Sequence, residues 1–143
     1  MRPFAGWLAT VLAAGTGIAH GGSAAFDYTL HCQGCHLESG AGTPGSVPAL
    51  AGSVGRFVRV PGGRDYLVRV PGVAQAPLAD GELAEVLNWV LRRFGPPDLP
   101  ADFVPFTAAE VGRNRHRPLT DVESTRRVLL EAFDRDHGAA TAP

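Results

Sequence analysis

Cys32, Cys35 and His36, in the run Cys32-Gln33-Gly34-Cys35-His36, form the most reactive cluster along the chain. The chain has no other cysteine. C-x-x-C-H is the attachment signature for c-type haem. Each thiol can add to one vinyl group on the same porphyrin edge, so the two sulfurs must sit about one helical turn apart. The histidine directly after the second cysteine then falls beneath the iron, where its imidazole can serve as an axial ligand. Gln33 and Gly34 need only permit the turn. Three other uses of the motif fit less well. A zinc site needs two further ligands, and there is no second cysteine pair. A thioredoxin-like C-x-x-C needs a βαβ setting. A plain disulfide has no need of His36.

The start of the chain reads as an export signal. Arg2 is followed by an apolar run through Trp7, Leu8, Val11 and Leu12, and small residues then crowd Gly15 to Ala25. Ser23-Ala24-Ala25 fits a cleavage site before Phe26, and Gly17-Ile18-Ala19 is a second option. The apolar run is shorter than the ~20 residues a membrane span needs. Export to the periplasm also suits the motif, because haem is ligated to such thiols there.

The residues after the motif extend the pattern. Gly40, Gly42 and Gly45 make a flexible loop, and Pro48-Ala49-Leu50-Ala51-Gly52 follows. Here the sequence resembles the small class I cytochrome c family. In that family a short helix carries C-x-x-C-H, a Gly-rich loop follows, and a P-x-L-x-G segment lies under the haem. The resemblance implies one covalent haem c and an all-α fold built around it. It also implies that the Pro48 carbonyl accepts a hydrogen bond from His36 Nδ1–H, leaving Nε2 for the iron.

The remaining elements must position that site. Phe26 to His36 is expected as the first helix, and residues 37–61 as loop. Val58-Arg59-Val60-Pro61-Gly62 recurs as Val68-Arg69-Val70-Pro71-Gly72, too few copies for a solenoid. Between the copies, Gly63 to Val70 reads as a short helix. The strongest helix is Gly81 to Phe94. Asp80 is its expected N-cap, Leu83, Val86, Leu87, Val90, Leu91 and Phe94 form an apolar stripe, and Gly95 with Pro96-Pro97 stops it. In the resembled family this helix crosses the first one, and Trp89 would pack at the crossing or near the haem edge.

The resemblance covers roughly residues 26–95, giving a leader (1–25), a haem domain (26–95) and a C-terminal helical extension (96–143) packed on the core. In the extension, Thr107 to Glu110 and Thr120 to Glu123 are capping boxes, each opening a helix. The second helix carries Leu129, Leu130 and Phe133, and residues 137–143 read as a frayed tail.

One family feature is missing. The resembled proteins place a Met, often before Pro, ahead of the last helix as the distal iron ligand. Here Gln75-Ala76-Pro77 stands at that point, and the one methionine of the chain is Met1. His31 adjoins the motif, His20 lies within the expected leader, and His137 lies in the expected tail. His116 is therefore the best distal candidate, although its neighbours Arg113, Arg115 and Arg117 suit a surface. The other outcomes are an open distal site near Gln75 or a ligand donated by a partner.

The 143 residues are 45% hydrophobic and 19% charged, with formal charge −1 and no lysine. No basic field points to nucleic acid. The expected function is single-electron transfer in the periplasm, between redox proteins such as a dehydrogenase donor and an oxidase or cytochrome acceptor. It is a carrier's role, not an enzyme's. An open distal site would instead make the protein a gas-binding sensor or small haem enzyme. The extension would suit a permanent subunit of a larger dehydrogenase.

Overall fold

The structure is a computed structural model and describes residues 23–138. The expected leader up to Gly22, with its second cleavage site and His20, lies outside the described residues. So does the end of the chain from Ala139.

The apolar stripe ahead of Pro96 forms the longest core helix, α6 (Asp80–Phe94), with Leu83, Val86, Leu87, Val90, Leu91 and Phe94 all buried. Its cap differs from expectation. Ala79 is the N-cap, and its backbone N–H donates to Glu82 Oε2 at 2.8 Å. Asp80 is the first helical residue, and its carboxylate bonds to Arg115 instead. At the far end Gly95 has φ −75°, so α6 does not stop on the left-handed glycine that the sequence suggested.

The first helix is shorter at one end and longer at the other than expected. α1 (Ala24–His31) begins two residues before Phe26, capped by Ser23, whose hydroxyl accepts from the Phe26 N–H at 3.3 Å. Helical geometry breaks at Cys32 (φ −125°) and resumes as one turn, α2 (Gln33–His36). α1 packs against α6 through an aromatic cluster. The Tyr28 ring lies 5.0 Å from that of Trp89 and 5.5 Å from that of Phe94, and Trp89 meets Phe94 edge-on at 5.7 Å. Trp89 thus occupies the helix crossing. The Tyr28 hydroxyl donates to the Leu37 carbonyl at 2.7 Å, tying the end of α2 to this cluster.

The segment expected as continuous loop contains a further turn of helix, α3 (Val54–Phe57). Gly55 lets it approach the end of α6, since a Cβ there would lie 2.3 Å from the Gly95 carbonyl oxygen. The two Val-Arg-Val-Pro-Gly copies each lead into helix. The first precedes α4 (Gly63–Arg69), and the second spans the junction to a single turn, α5 (Pro71–Ala74). Four-residue helices such as α3 and α5 are too short to leave a periodic pattern.

The segment after Gly95 wraps back over these helices. α7 (Ala108–Asn114) is capped by Thr107, whose hydroxyl accepts from the Glu110 N–H. α8 (Val122–Gly138) is capped by Asp121 rather than Thr120, and it runs helical through His137. Phe106, Val111, Leu129 and Phe133 enter the same core as α6. Asn88 on α6 is buried, and its amide exchanges two hydrogen bonds with the Phe106 backbone, at 2.7 and 3.0 Å. That pairing satisfies a buried amide and fixes the register of the segment on α6. Among the described residues there are eight helices and no strand, in agreement with the all-α expectation. One isolated β-bridge joins Thr43 and Val47.

Candidate functional site

The break at Cys32 shapes the site. The Cys32 N–H still bonds to Tyr28 at the end of α1, while its carbonyl accepts from Cys35 and His36 N–H at 3.2 and 3.0 Å. One tight turn therefore carries Cys32, Cys35 and His36, and all three line a cavity of about 380 Å³. Its walls are mostly aliphatic: Leu50 and Val54, Leu67 and Val70, Val73 and Ala76, and Leu83, Val86, Leu87 and Val90 of α6. Such a chamber, apolar with a few polar groups on one side, is the usual form of a cofactor site.

Pro48 lines the same cavity. The loop holding it turns on Gly42 (φ +68°), where a Cβ would lie 2.3 Å from the Val47 carbonyl oxygen. His36 is half-buried, and its Nδ1 is fully buried without a hydrogen-bond partner. Burial holds the imidazole below its ordinary pKa, and the nearby Pro48 carbonyl opposes that shift. The carbonyl is thus close enough to act on the ring electrostatically, while the direct Nδ1 hydrogen bond is not closed. Both cysteines are free thiols. Cys32 is pushed up to about 11, first by burial, then by Asp27 and Cys35.

His116 does not join this cavity. It is exposed just beyond α7, while its neighbour Arg115 turns inward. His31 is also exposed, and His137 stacks on Phe133 while accepting from Arg59 Nε at 3.1 Å. Among the described residues, His36 is the one histidine lining the cavity. Ala76, at the point where the resemblance led to the expectation of a methionine, also lines it.

Sequence reasoning overlooked two arginines. Arg115 donates to the carbonyls of Ala74, Ala76 and Leu78 and to Asp80 Oδ1, at 3.1, 2.6, 2.8 and 3.0 Å. It thereby pins the 74–80 loop from behind. Arg126 of α8 reaches the cavity wall. The capping box marks a helix there, but nothing local indicates which of its faces meets the cavity.

Two proteins named cytochrome c-552, one from Thermus thermophilus and one from a particular strain of that species, match the chain at 37% identity over 107 residues. The match covers 62% of this chain and 82% and 72% of those relatives. The chain belongs to the cytochrome c-552 family. No protein-family model matches it.

A c-type cytochrome holds haem c covalently, and the cavity suits that group. It offers two thiols and one imidazole on a single turn, and aliphatic walls for the porphyrin faces. Among the described residues no cluster of three or more His, Cys, Asp or Glu could cage a metal ion directly. Iron brought in by a porphyrin needs no such cluster.

Proposed function

We propose that this cytochrome carries single electrons between redox proteins of the periplasm or another exported compartment. Haem c supplies one-electron exchange between Fe(II) and Fe(III). Cys32 and Cys35 hold it as thioethers. His36, whose pKa burial lowers, offers Nε2 to the iron, and the nearby Pro48 carbonyl is the acceptor available to its Nδ1–H. The aliphatic walls exclude water and so limit the charge rearrangement that accompanies each transfer. Cys35 is exposed, and Phe26, Leu30 and Leu37 are exposed apolar side chains on or beside the helices that carry the motif. They offer a surface for the small, weak docking typical of electron transfer. A dehydrogenase on the donor side and a cytochrome or oxidase on the acceptor side fit this role. Among the described residues no helix is long and apolar enough to cross a membrane.

The observation that carries this reading is the placement of Cys32, Cys35 and His36 on one turn facing an apolar cavity. It is tested by expression with periplasmic haem-ligation machinery, followed by haem staining after denaturing electrophoresis. Haem should stay with the wild-type chain and leave the Cys32→Ala/Cys35→Ala variant. A wild-type chain that retains no haem through denaturation would refute it.

A second reading rests on Ala76. With aliphatic side chains at Val70, Val73, Ala76 and Leu78 on the cavity wall, the site supports an open sixth position for small neutral ligands. Addition of CO to the reduced holoprotein should then shift its Soret band, and an unchanged band would refute this second reading alone.

A further inference from the structure

Among the described residues, Arg126 is the only side chain of Asp, Glu, Lys or Arg type that lines the cavity. It is half-buried on α8, outside the part of the chain that resembles a minimal cytochrome. It also lines an outer cavity of about 880 Å³ between residues 41–49 and α8, and so borders both chambers.

Two features mark this position as a binding group. First, Arg126 has no hydrogen-bonded or ion-paired partner among the described residues. By contrast Arg56, Arg64, Arg69 and Arg115 each pair with a carboxylate. Its guanidinium carbon lies 5.9 Å from the centre of the Phe57 ring, which stacks on Tyr66 at 4.8 Å. Second, the Tyr66 side chain also lines the cavity, and its hydroxyl has no partner among the described residues. The Tyr28 hydroxyl differs, being used by the Leu37 carbonyl. Burial raises the Tyr66 pKa, and the charge of Arg126 opposes this, so the two groups are near neighbours.

A partly desolvated cation without a counter-charge is unfavourable, and an anion seated beside it relieves that cost. Guanidinium presents a planar fork of N–H donors matched to a carboxylate, and a phenol O–H adds one more. Haem carries two carboxylates on one edge of an otherwise apolar plate. The inner chamber's aliphatic walls suit the plate, and the Arg126 side is the part of the lining that suits the charged edge.

We propose that Arg126 and Tyr66 bind a propionate of haem c, making α8 part of the haem site rather than only a cover for the core. This rests on the haem reading above. Arg126 and Tyr66 are positioning residues in this role. A cation that held a propionate would favour the reduced form of the haem, which has one positive charge fewer.

The test is spectroelectrochemical titration of holoproteins carrying Arg126→Gln, Arg126→Lys, Tyr66→Phe and Arg127→Gln. Arg127 is the control, because it lies on the same helix and lines only the outer cavity. Arg126→Gln should raise the oxidised-to-reduced ratio at fixed potential by about three- to tenfold, a fall of about 30–60 mV at 59 mV per tenfold. Arg126→Lys should restore most of this, Tyr66→Phe should move the potential the same way by less, and Arg127→Gln should change the ratio less than twofold. Loss of haem loading in Arg126→Gln that Arg126→Lys restores counts equally in favour. The proposal is overturned if Arg126→Gln and Tyr66→Phe both leave the potential unchanged, or if Arg126→Lys and Arg127→Gln shift it as far as Arg126→Gln. A wild-type chain without covalent haem would instead overturn the haem reading itself.

Discussion

Arg115→Ala should loosen the loop that forms one wall of the cavity. The substitution removes four hydrogen bonds, to Ala74, Ala76, Leu78 and Asp80. They do not contribute equally. The Asp80 side chain is 41% exposed and regains water when the guanidinium leaves. Ala74 and Ala76 are buried, and their carbonyls lose a charged donor held on a side chain only 10% exposed. A hydrogen bond to a charged group contributes about 1.5–3 kcal/mol. Taking the lower figure for the two buried carbonyls gives a loss of about 3 kcal/mol, with the other two bonds adding little. If that loss falls on local opening, the 74–80 loop should open on the order of a hundredfold more often, at about 1.4 kcal/mol per tenfold. Amide hydrogen exchange resolved by peptide should show faster exchange across residues 73–78, and urea unfolding should show a lower midpoint. Arg115→Lys should recover part of the effect, since an ammonium has three donors but no planar fork. A change below about 0.5 kcal/mol, the size of an ordinary surface substitution, would refute the assignment of these bonds as the clamp.

Asn88→Ala should lower stability by about 2–4 kcal/mol in urea unfolding, because it strands both the N–H and the carbonyl of buried Phe106. In the haem-free chain at pH 8, Cys35 should be alkylated well before Cys32, as read by peptide mass spectrometry. Cys35 is exposed, whereas Cys32, at about 11, is thiolate in only about one molecule per thousand. The haem-free chain should also lose stability as pH falls below about 6.5. Burial lowers the His36 pKa, so the unfolded chain binds the proton more readily, and the contribution is present above the ordinary histidine value and lost below it. His36→Phe should flatten the unfolding midpoint between pH 7.5 and 5.5, and an equally steep profile in that variant would assign the effect to other groups.

Elements with local signals were legible along the chain. Two cysteines and a histidine at fixed spacing match the haem-attachment pattern. A six-residue apolar stripe marks α6, and a Thr107 hydroxyl three residues before Glu110 marks the start of α7. Each of these depends on neighbours within one or two turns, so it can be read along the chain. The helix break at Cys32 and the single turns α3 and α5 left no pattern, because one turn is shorter than the period that would reveal it. Asp80 reads locally as a cap, yet it spends its carboxylate on Arg115, 35 residues away. Thr120 and Asp121 both suit a cap, and only the path of the chain into α8 selected Asp121. Which side chains of the C-terminal segment meet the cavity depends on long-range packing. His116 and Arg115 are adjacent, and one faces solvent while the other holds the loop that bears Ala76. Arg126 and Arg127 are adjacent as well, and only Arg126 reaches the inner chamber. Such choices follow from the rotation of a helix about its axis as it packs on distant residues, and no spacing within the helix encodes them.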